Sequence, residues 1–329
     1  MRPFDYFRAT TPADAIAALA SGGEGTRLLA GGTTLYDLMK LDIEQPQRIV
    51  DINGLDLRQI EVSSDELIFG ALSRMSDVAE DPHVTSNYPA LSESLWKAAS
   101  QQLRNMASLG GNLLQRTRCA YFRHGAPYAC NKREPGSGCA ALEGLNRGHA
   151  LFGGSESCIA TYAGDFAVAL LAFDANIDVI GPRGARSIPL ADFHVSPGAD
   201  PARETSLEHD ELIMQIRVPA TPAGRNSTYH KIRDRESYAF ATVSVAAAIL
   251  MEGGSVSEAR LALGGVATKP LRATAAEAFL LGKPLTLETA RAAGELAFEG
   301  AHVTHHNAFK IELGARAVAD ALMIAKGRA

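Results

Sequence analysis

Cysteine is absent from this chain except between positions 119 and 158, and even there no two stand as a CxxC pair. The missing knuckle matters, because structural zinc sites usually draw their ligands from such pairs. No run of eighteen apolar residues occurs, so no helix is expected to cross a membrane. Basic residues are not in excess: 32 Lys and Arg stand against 37 Asp and Glu, a formal net charge of −5. Without a basic field, a nucleic-acid partner is not expected. The opening MRPFDYFRATTPADA lacks the apolar core of a secretory signal. Folding is therefore expected in the cytoplasm, where thiols stay reduced and disulfides are disfavoured. No Ser/His/Asp ordering or nucleophile elbow is visible, so no catalytic side chain is assigned.

The 329 residues are 46% hydrophobic and 21% charged, ordinary for a soluble globular protein and long enough for two or three substructures. Its four cysteines, Cys119, Cys130, Cys139 and Cys158, are separated by ten, eight and eighteen residues. Structural cysteines scatter through a core, so this grouping suggests one site with four thiolates. An iron–sulfur cluster, a tetrahedral zinc and disulfides are the three readings. Ligands from loops of unequal length favour the cluster, because residues 115–158 are polar, rich in Gly and Arg and weakly periodic.

Elsewhere the patterning is regular. Thr10 or Thr11, Pro12 and Asp14 signal a helix start, Ala15, Ile16 and Leu19 form its stripe, and Gly22-Gly23 ends it. Arg27–Ala30, Ile49–Ile52, Leu67–Phe69 and Ile213–Val218 read as strands, and apolar patterning also marks Phe166–Phe173 and Ile177–Ile180. Residues 89–104 read as one helix through Leu91, Leu95, Trp96 and Ala99. PATPAGRNS (219–227) marks a boundary, beyond which Val243–Leu250 and Ala259–Leu263 are strands. Phe309, Leu313, Ala317 and Ala321 stripe a closing helix. The fold class expected is α+β.

Two glycine segments carry binding chemistry. LLAGGTTL (28–35) has the form strand, double glycine, threonine, helix, which lets backbone amides approach a phosphate. SLGGNL (108–113) repeats this logic, with Asn112 adding an amide, so a diphosphate is expected between the two. A side chain added at Gly32 or Gly111 should block the approach. Asp165 either caps the helix after it or accepts hydrogen bonds from a ribose or flavin edge. Lys231 is either a solvated strand residue or a flavin contact. His302, His305 and His306 are read as a helix-start loop rather than a metal site.

LLAGGTTLYDLMK (28–40), ASLGGNLLQRT (107–117), GDFAVALLAFDA (164–175), KIRDRESYAFATVSVAAAI (231–249) and LALGGVATKPLRATAAEAFL (261–280) resemble the FAD-binding subunit of molybdenum hydroxylases, the family of xanthine dehydrogenase and carbon monoxide dehydrogenase. The likeness runs through essentially the whole chain. Most members pass quickly from GGN to the Asp of the next helix, whereas here Asn112 and Asp165 stand 53 positions apart and every cysteine lies between them. QRTRCAYF, CNKREPGSGCAALEG and ESCIAT in this insertion resemble the flavin subunit of bacterial periplasmic aldehyde oxidoreductases, which carries a [4Fe–4S] cluster.

The resemblance implies an FAD domain of the vanillyl-alcohol-oxidase (PCMH) type over residues 1–222, with two subdomains and an insertion at about 115–160. An α+β domain of carbon monoxide dehydrogenase flavoprotein type over 223–329 would follow. It implies FAD held by a pyrophosphate loop of Arg27, Leu28, Leu29, Ala30, Gly31, Gly32, Thr33, Thr34 and Leu35. A second loop of Ala107, Ser108, Leu109, Gly110 and Gly111, with Asn112, and the positions Asp165, Ile213 and Lys231 would complete the site. The four cysteines would hold a [4Fe–4S] cluster. A large subunit with molybdenum cofactor would oxidise an aldehyde, a small [2Fe–2S] subunit would relay electrons, and this chain would pass them through FAD to an external acceptor. Assembly is expected in the cytoplasm, with export to the periplasm on a partner's signal. A zinc-stabilised scaffold and a self-standing flavin oxidase are the rival readings.

Overall fold

The computed structural model describes residues 1–125 and 127–329, arranged as three sheets with helices packed on them. The first sheet holds β1 (Asp5–Arg8), β2 (Thr26–Leu29) and β3 (Arg48–Asp51), all parallel in the order β1-β3-β2. Parallel neighbours need crossovers, supplied by α1 (Pro12–Gly22) and α2 (Leu35–Lys40). Helix α1 starts as its sequence requires: Asp14 N donates to Thr11 Oγ1 at 3.1 Å, and Thr11 N donates back to the Asp14 carboxylate at 2.9 Å. Ala15 is buried beside Val50 and Ile52.

The second sheet is antiparallel, in the order β4-β5-β8-β6-β7. Its strands are β4 (Ile60–Val62), β5 (Glu66–Gly70), β6 (Asn176–Gly181), β7 (Gly184–Pro189) and β8 (Leu212–Pro219). Between β5 and β6 the chain makes α3 (Met75–Glu80), α4 (Pro82–Asn87), α5 (Pro89–Trp96), α6 (Gln101–Arg104), α7 (Leu109–Leu113), α8 (Ala120–Arg123) and α9 (Phe166–Ala172). All seven residues of α9, FAVALLA, are buried, as expected of a helix that is apolar all round. α10 (Leu190–Phe193) follows β7.

The third sheet, in the order β12-β11-β10-β9, is built from β9 (Ser227–Ile232), β10 (Val243–Glu252), β11 (Ser255–Gly264) and β12 (Leu271–Arg272). Its helices are α11 (Thr274–Leu280), α12 (Leu287–Leu296) and α13 (Phe309–Lys326). Alternation along β10 divides two cores. Ala246 and Ala248 face the core containing α5 and α9, while Val243, Val245, Ala247 and Ile249 face the core under α13. The small alanines let the helices come close on one side, and β-branched residues fill most of the other.

The single helix expected over residues 89–104 is interrupted in the structure: α5 stops at Trp96, Ala99 takes φ +49, and Ser100 caps the new one-turn α6 through its Oγ. The break leaves the Lys97 carbonyl free to accept from Lys231 Nζ at 2.9 Å and Arg233 Nη1 at 3.1 Å. Tertiary hydrogen bonds outweigh helix continuity there. Among the described residues no helix is long and apolar enough to cross a membrane.

Candidate cofactor sites

Strand β2 delivers the first glycine segment. Asn53 Nδ2 bonds the Leu29 and Ala30 carbonyls at 3.4 and 2.9 Å and fixes the strand's end. Gly31 then lies against the second segment, where a Cβ would come 1.9 Å from the Met106 carbonyl oxygen and 2.9 Å from the Ala107 Cα. Gly32 follows at φ +73, a conformation that strains any residue with a side chain. Among the described residues the N–H groups of Gly31, Gly32, Thr33, Thr34 and Leu35 meet no protein acceptor, although the segment is half-buried. Successive free amides form a concavity suited to an anion. Because α2 has only six residues, these local amides carry more of that attraction than a macrodipole does.

The second segment is built differently. Its amides are already bonded: Leu109 to Ser73 O at 3.0 Å, Gly110 to Ala71 O at 2.9 Å, Asn112 to Ser108 O at 2.8 Å and Gly111 to Ser108 Oγ at 3.3 Å. A Cβ at Gly111 would meet only Ser108 Oγ, at 3.0 Å. SLGGNL is thus a capped turn of helix rather than a second free-amide cradle. What it leaves open is Asn112 Oδ1, a buried acceptor without a partner among the described residues.

The remaining flavin positions fall into two groups. Arg27 turns its guanidinium to Glu44 at 2.9 Å, and Leu28 and Ala30 pack on the first sheet's core. Ile213 is buried in β8 opposite Val179, in the same core as Leu109 and Leu113. Asp165 stands at the start of α9 but its side chain caps nothing. Its carboxylate accepts from Tyr229 Oη and Lys231 Nζ, both at 2.8 Å, with the Asp165 and Lys231 side chains 5% and 1% exposed. Burial pushes the Asp165 carboxyl above the usual range, and Lys231 opposes that rise. The solvated-strand reading of Lys231 is overturned, because its ammonium is buried.

The cysteines gather around one cavity. Gly136 and Gly138, at φ +85 and +104, turn EPGSG back on itself and set Cys130 opposite Cys139 in a short antiparallel bridge. Cys119 immediately precedes α8, and Cys158 closes a tight turn with Ser155. All four free thiols line one cavity, walled also by Tyr121, Phe122 and Ala141. Burial pushes the Cys119 thiol up to about 11 and raises Cys158, while Lys132 pulls Cys158 back down. Among the described residues no three His, Cys, Asp or Glu side chains converge as ligands of one ion would. His302, His305 and His306 are exposed ahead of α13, with His306 bonded to Asn146.

Residues 2–221 match the FAD binding domain of molybdopterin dehydrogenases, and residues 227–323 match the carbon monoxide dehydrogenase flavoprotein C-terminal domain. The chain belongs to the FAD-binding subunits of the molybdenum hydroxylases. It is 48% identical to the aldehyde oxidoreductase FAD-binding subunit PaoB of Escherichia coli (strain K12), over the whole of both chains. It is 31% identical to the putative xanthine dehydrogenase FAD-binding subunit XdhB of the same organism, covering 88% of this chain and 83% of that one. The solved carbon monoxide dehydrogenase of Hydrogenophaga pseudoflava superposes with a TM-score of 0.78 at 30% identity, covering 100% and 99% of the two chains.

In this flavoprotein subunit a charged chain that sequence reading missed joins the two sites. Arg27 pairs with Glu44, Glu44 with Arg116, Arg116 with Glu204, and Glu204 with Lys132, at 2.9, 2.9, 2.8 and 2.8 Å. Arg118 and Arg123 of the cysteine segment both reach Asp37 on α2. Nothing in the spacing of these residues signals the pairings, because each crosses between distant loops.

Proposed function

We propose that this chain is the electron-transfer subunit of a molybdenum-dependent aldehyde oxidoreductase, holding FAD along its first glycine segment and a [4Fe–4S] cluster on Cys119, Cys130, Cys139 and Cys158. The observation that carries the flavin assignment is the run of five free amides from Gly31 to Leu35, with the orphaned Asn112 Oδ1 as a further partner. The amides would hold the diphosphate, and Gly31 keeps the second segment, Ala107–Asn112, close beside it. Asp165, Lys231 and Ile213 would frame the site from the core. When bound, FAD supplies one- and two-electron redox chemistry, and the protein sets its position and potential.

The cluster assignment rests on four free thiols around one cavity. A single zinc needs its sulfurs about 2.3 Å from one point, whereas a cubane takes one thiolate at each of four separate corners. Four thiols drawn from unpaired loops around one cavity, with no CxxC knuckle among them, favour the cubane. The substrate class is brought by the relative named an aldehyde oxidoreductase subunit. The partners would be a large molybdenum-cofactor subunit and a small [2Fe–2S] subunit, with electrons leaving to an external acceptor.

Anaerobic purification with the partner subunits tests both assignments. Iron and acid-labile sulfide should each approach about four per chain, beyond what the [2Fe–2S] subunit contributes, with one flavin. Cys130→Ser should lose this iron and keep most FAD. Stoichiometric zinc without iron would replace the cluster by the scaffold reading, and aldehyde turnover by this chain alone would favour a self-standing oxidase. We also propose assembly in the cytoplasm and export on a partner's signal. Cell fractionation before and after deleting that signal tests this, and arrival in the periplasm without any partner overturns it.

A further inference from the structure

Among the described residues, His149 is the one histidine of the chain's nine that lies beside a cysteine of the cavity. Its Nε2 lies 3.2 Å from Cys119 Sγ, and the residue is only 7% exposed. Its main chain is anchored from the C-terminal unit. The His149 carbonyl accepts from Lys310 Nζ at 3.1 Å, in the first turn of α13, and from Asn307 Nδ2 at 3.4 Å, in the loop just before it, and both residues are buried. Its N–H donates to the Asn146 carbonyl at 3.0 Å. Asn146 is itself fully buried and accepts from His306 N at 3.1 Å. These bonds fix the His149 main chain, and the residue's burial leaves its ring little room to turn.

Resting on the cluster reading above, we propose that His149 is a positioning residue for that cluster: its Nε2–H donates to Cys119 Sγ, and α13 holds it there. The tautomer follows from the surroundings. His149 Nδ1 is buried and faces no partner among the described residues, so a proton on it would have no acceptor. A free thiol could donate to Nε2, but a thiolate bound to iron has no proton and can only accept. Ligation therefore requires the ring to present Nε2–H.

A hydrogen bond to a cluster's cysteinyl sulfur draws charge from that sulfur and favours the reduced, more negative state, raising the reduction potential. The consequence lies in the C-terminal unit: by clamping the His149 carbonyl, Lys310 and Asn307 contribute to the cluster's potential without touching it.

The test compares wild type with H149M, which removes the donor at similar volume, and H149Q, whose amide nitrogen can replace Nε2. Each is purified anaerobically in the complex, assayed for iron, sulfide and flavin, and titrated by EPR against redox mediators. Wild type without excess iron and sulfide would remove the cluster reading itself, a failure distinct from the following ones. With clusters present, the expected result is an H149M cluster of lower potential than wild type, with H149Q moving back towards it. An unchanged potential in H149M, or an equal shift in both variants, overturns the donor role. Should H149M lose its cluster, retention by H149Q near the wild-type potential supports the proposal, and loss in both overturns it. Flavin content should stay at wild-type level throughout.

Discussion

Gly31 and Met106 touch through their backbones: a Cβ on Gly31 would lie 1.9 Å from the Met106 carbonyl oxygen and 2.7 Å from its carbon. This contact joins the two glycine segments. The first offers unbonded amides, and the second, internally capped by Ser108, is the wall against which the first is pressed.

Replacing Gly31 by alanine should therefore separate the segments or distort one of them, at a cost of about 1–3 kcal/mol. Flavin content of the folded protein should fall sharply. Gly111→Ala meets only a serine hydroxyl and should retain most flavin. Comparing flavin-to-protein absorbance of the two variants decides this. Equal flavin loss would mean that the contact with Met106 is not what the site requires.

Lys231→Met should be among the most destabilising single changes in the chain. It leaves the Asp165 carboxylate buried with only Tyr229 as donor, and breaking such a pair costs about 3–5 kcal/mol. The double variant Asp165→Asn with Lys231→Met should recover part of that loss. Thermal melts of both singles and the double give the coupling directly, and additive losses would show that the two side chains do not act as a pair.

His194 makes stability depend on acid. Burial lowers its pKa from 6.5 to about 4, while its Nε2 lies 2.9 Å from the Leu113 carbonyl. Because the folded value is depressed, the contribution of the neutral ring is complete above about 6.5 and is lost as pH falls towards 4, when the unfolded chain takes up the proton first. The full difference is on the order of 3 kcal/mol. His194→Gln keeps a donor for Leu113 without titrating. Melting temperatures measured from pH 7 to 4.5 should fall more steeply for wild type than for this variant. Parallel curves would remove His194 as a cause.

Glu204 stands between Arg116 and Lys132, at 2.8 Å from each. Glu204→Gln leaves two half-buried cations without their shared carboxylate and should cost about 2 kcal/mol. Since Lys132 lines the cysteine cavity and Arg116 continues to Glu44, the effect should reach the thiols before the flavin. Faster loss of iron in air, with flavin retained, is the expected outcome. Flavin leaving first would place the importance of this chain at the glycine segment instead.

Much of this architecture is local in origin and legible residue by residue. Thr11, Pro12 and Asp14 specify the start of α1 because a capping box involves only neighbours. Alternation in VSVAAAIL announces a strand, and the stripe of Phe309, Leu313, Ala317 and Ala321 a helix, because both periods are short. The confinement of cysteine to one segment likewise needs no fold to be seen. What the chain alone did not disclose is everything that joins distant positions. The break at Ala99 follows from carbonyl partners on β9, the contact of Gly31 with Met106 from packing between two loops, and the Asp165–Lys231 pair from the seating of α9 on the third sheet. His149 carries no pattern at all, and it lies beside Cys119 with its carbonyl held by Asn307, just ahead of α13, and by Lys310 in the helix's first turn. Capping and periodicity are written over three or four residues, whereas a cofactor site is assembled by contacts whose sequence separation leaves no trace in composition or spacing.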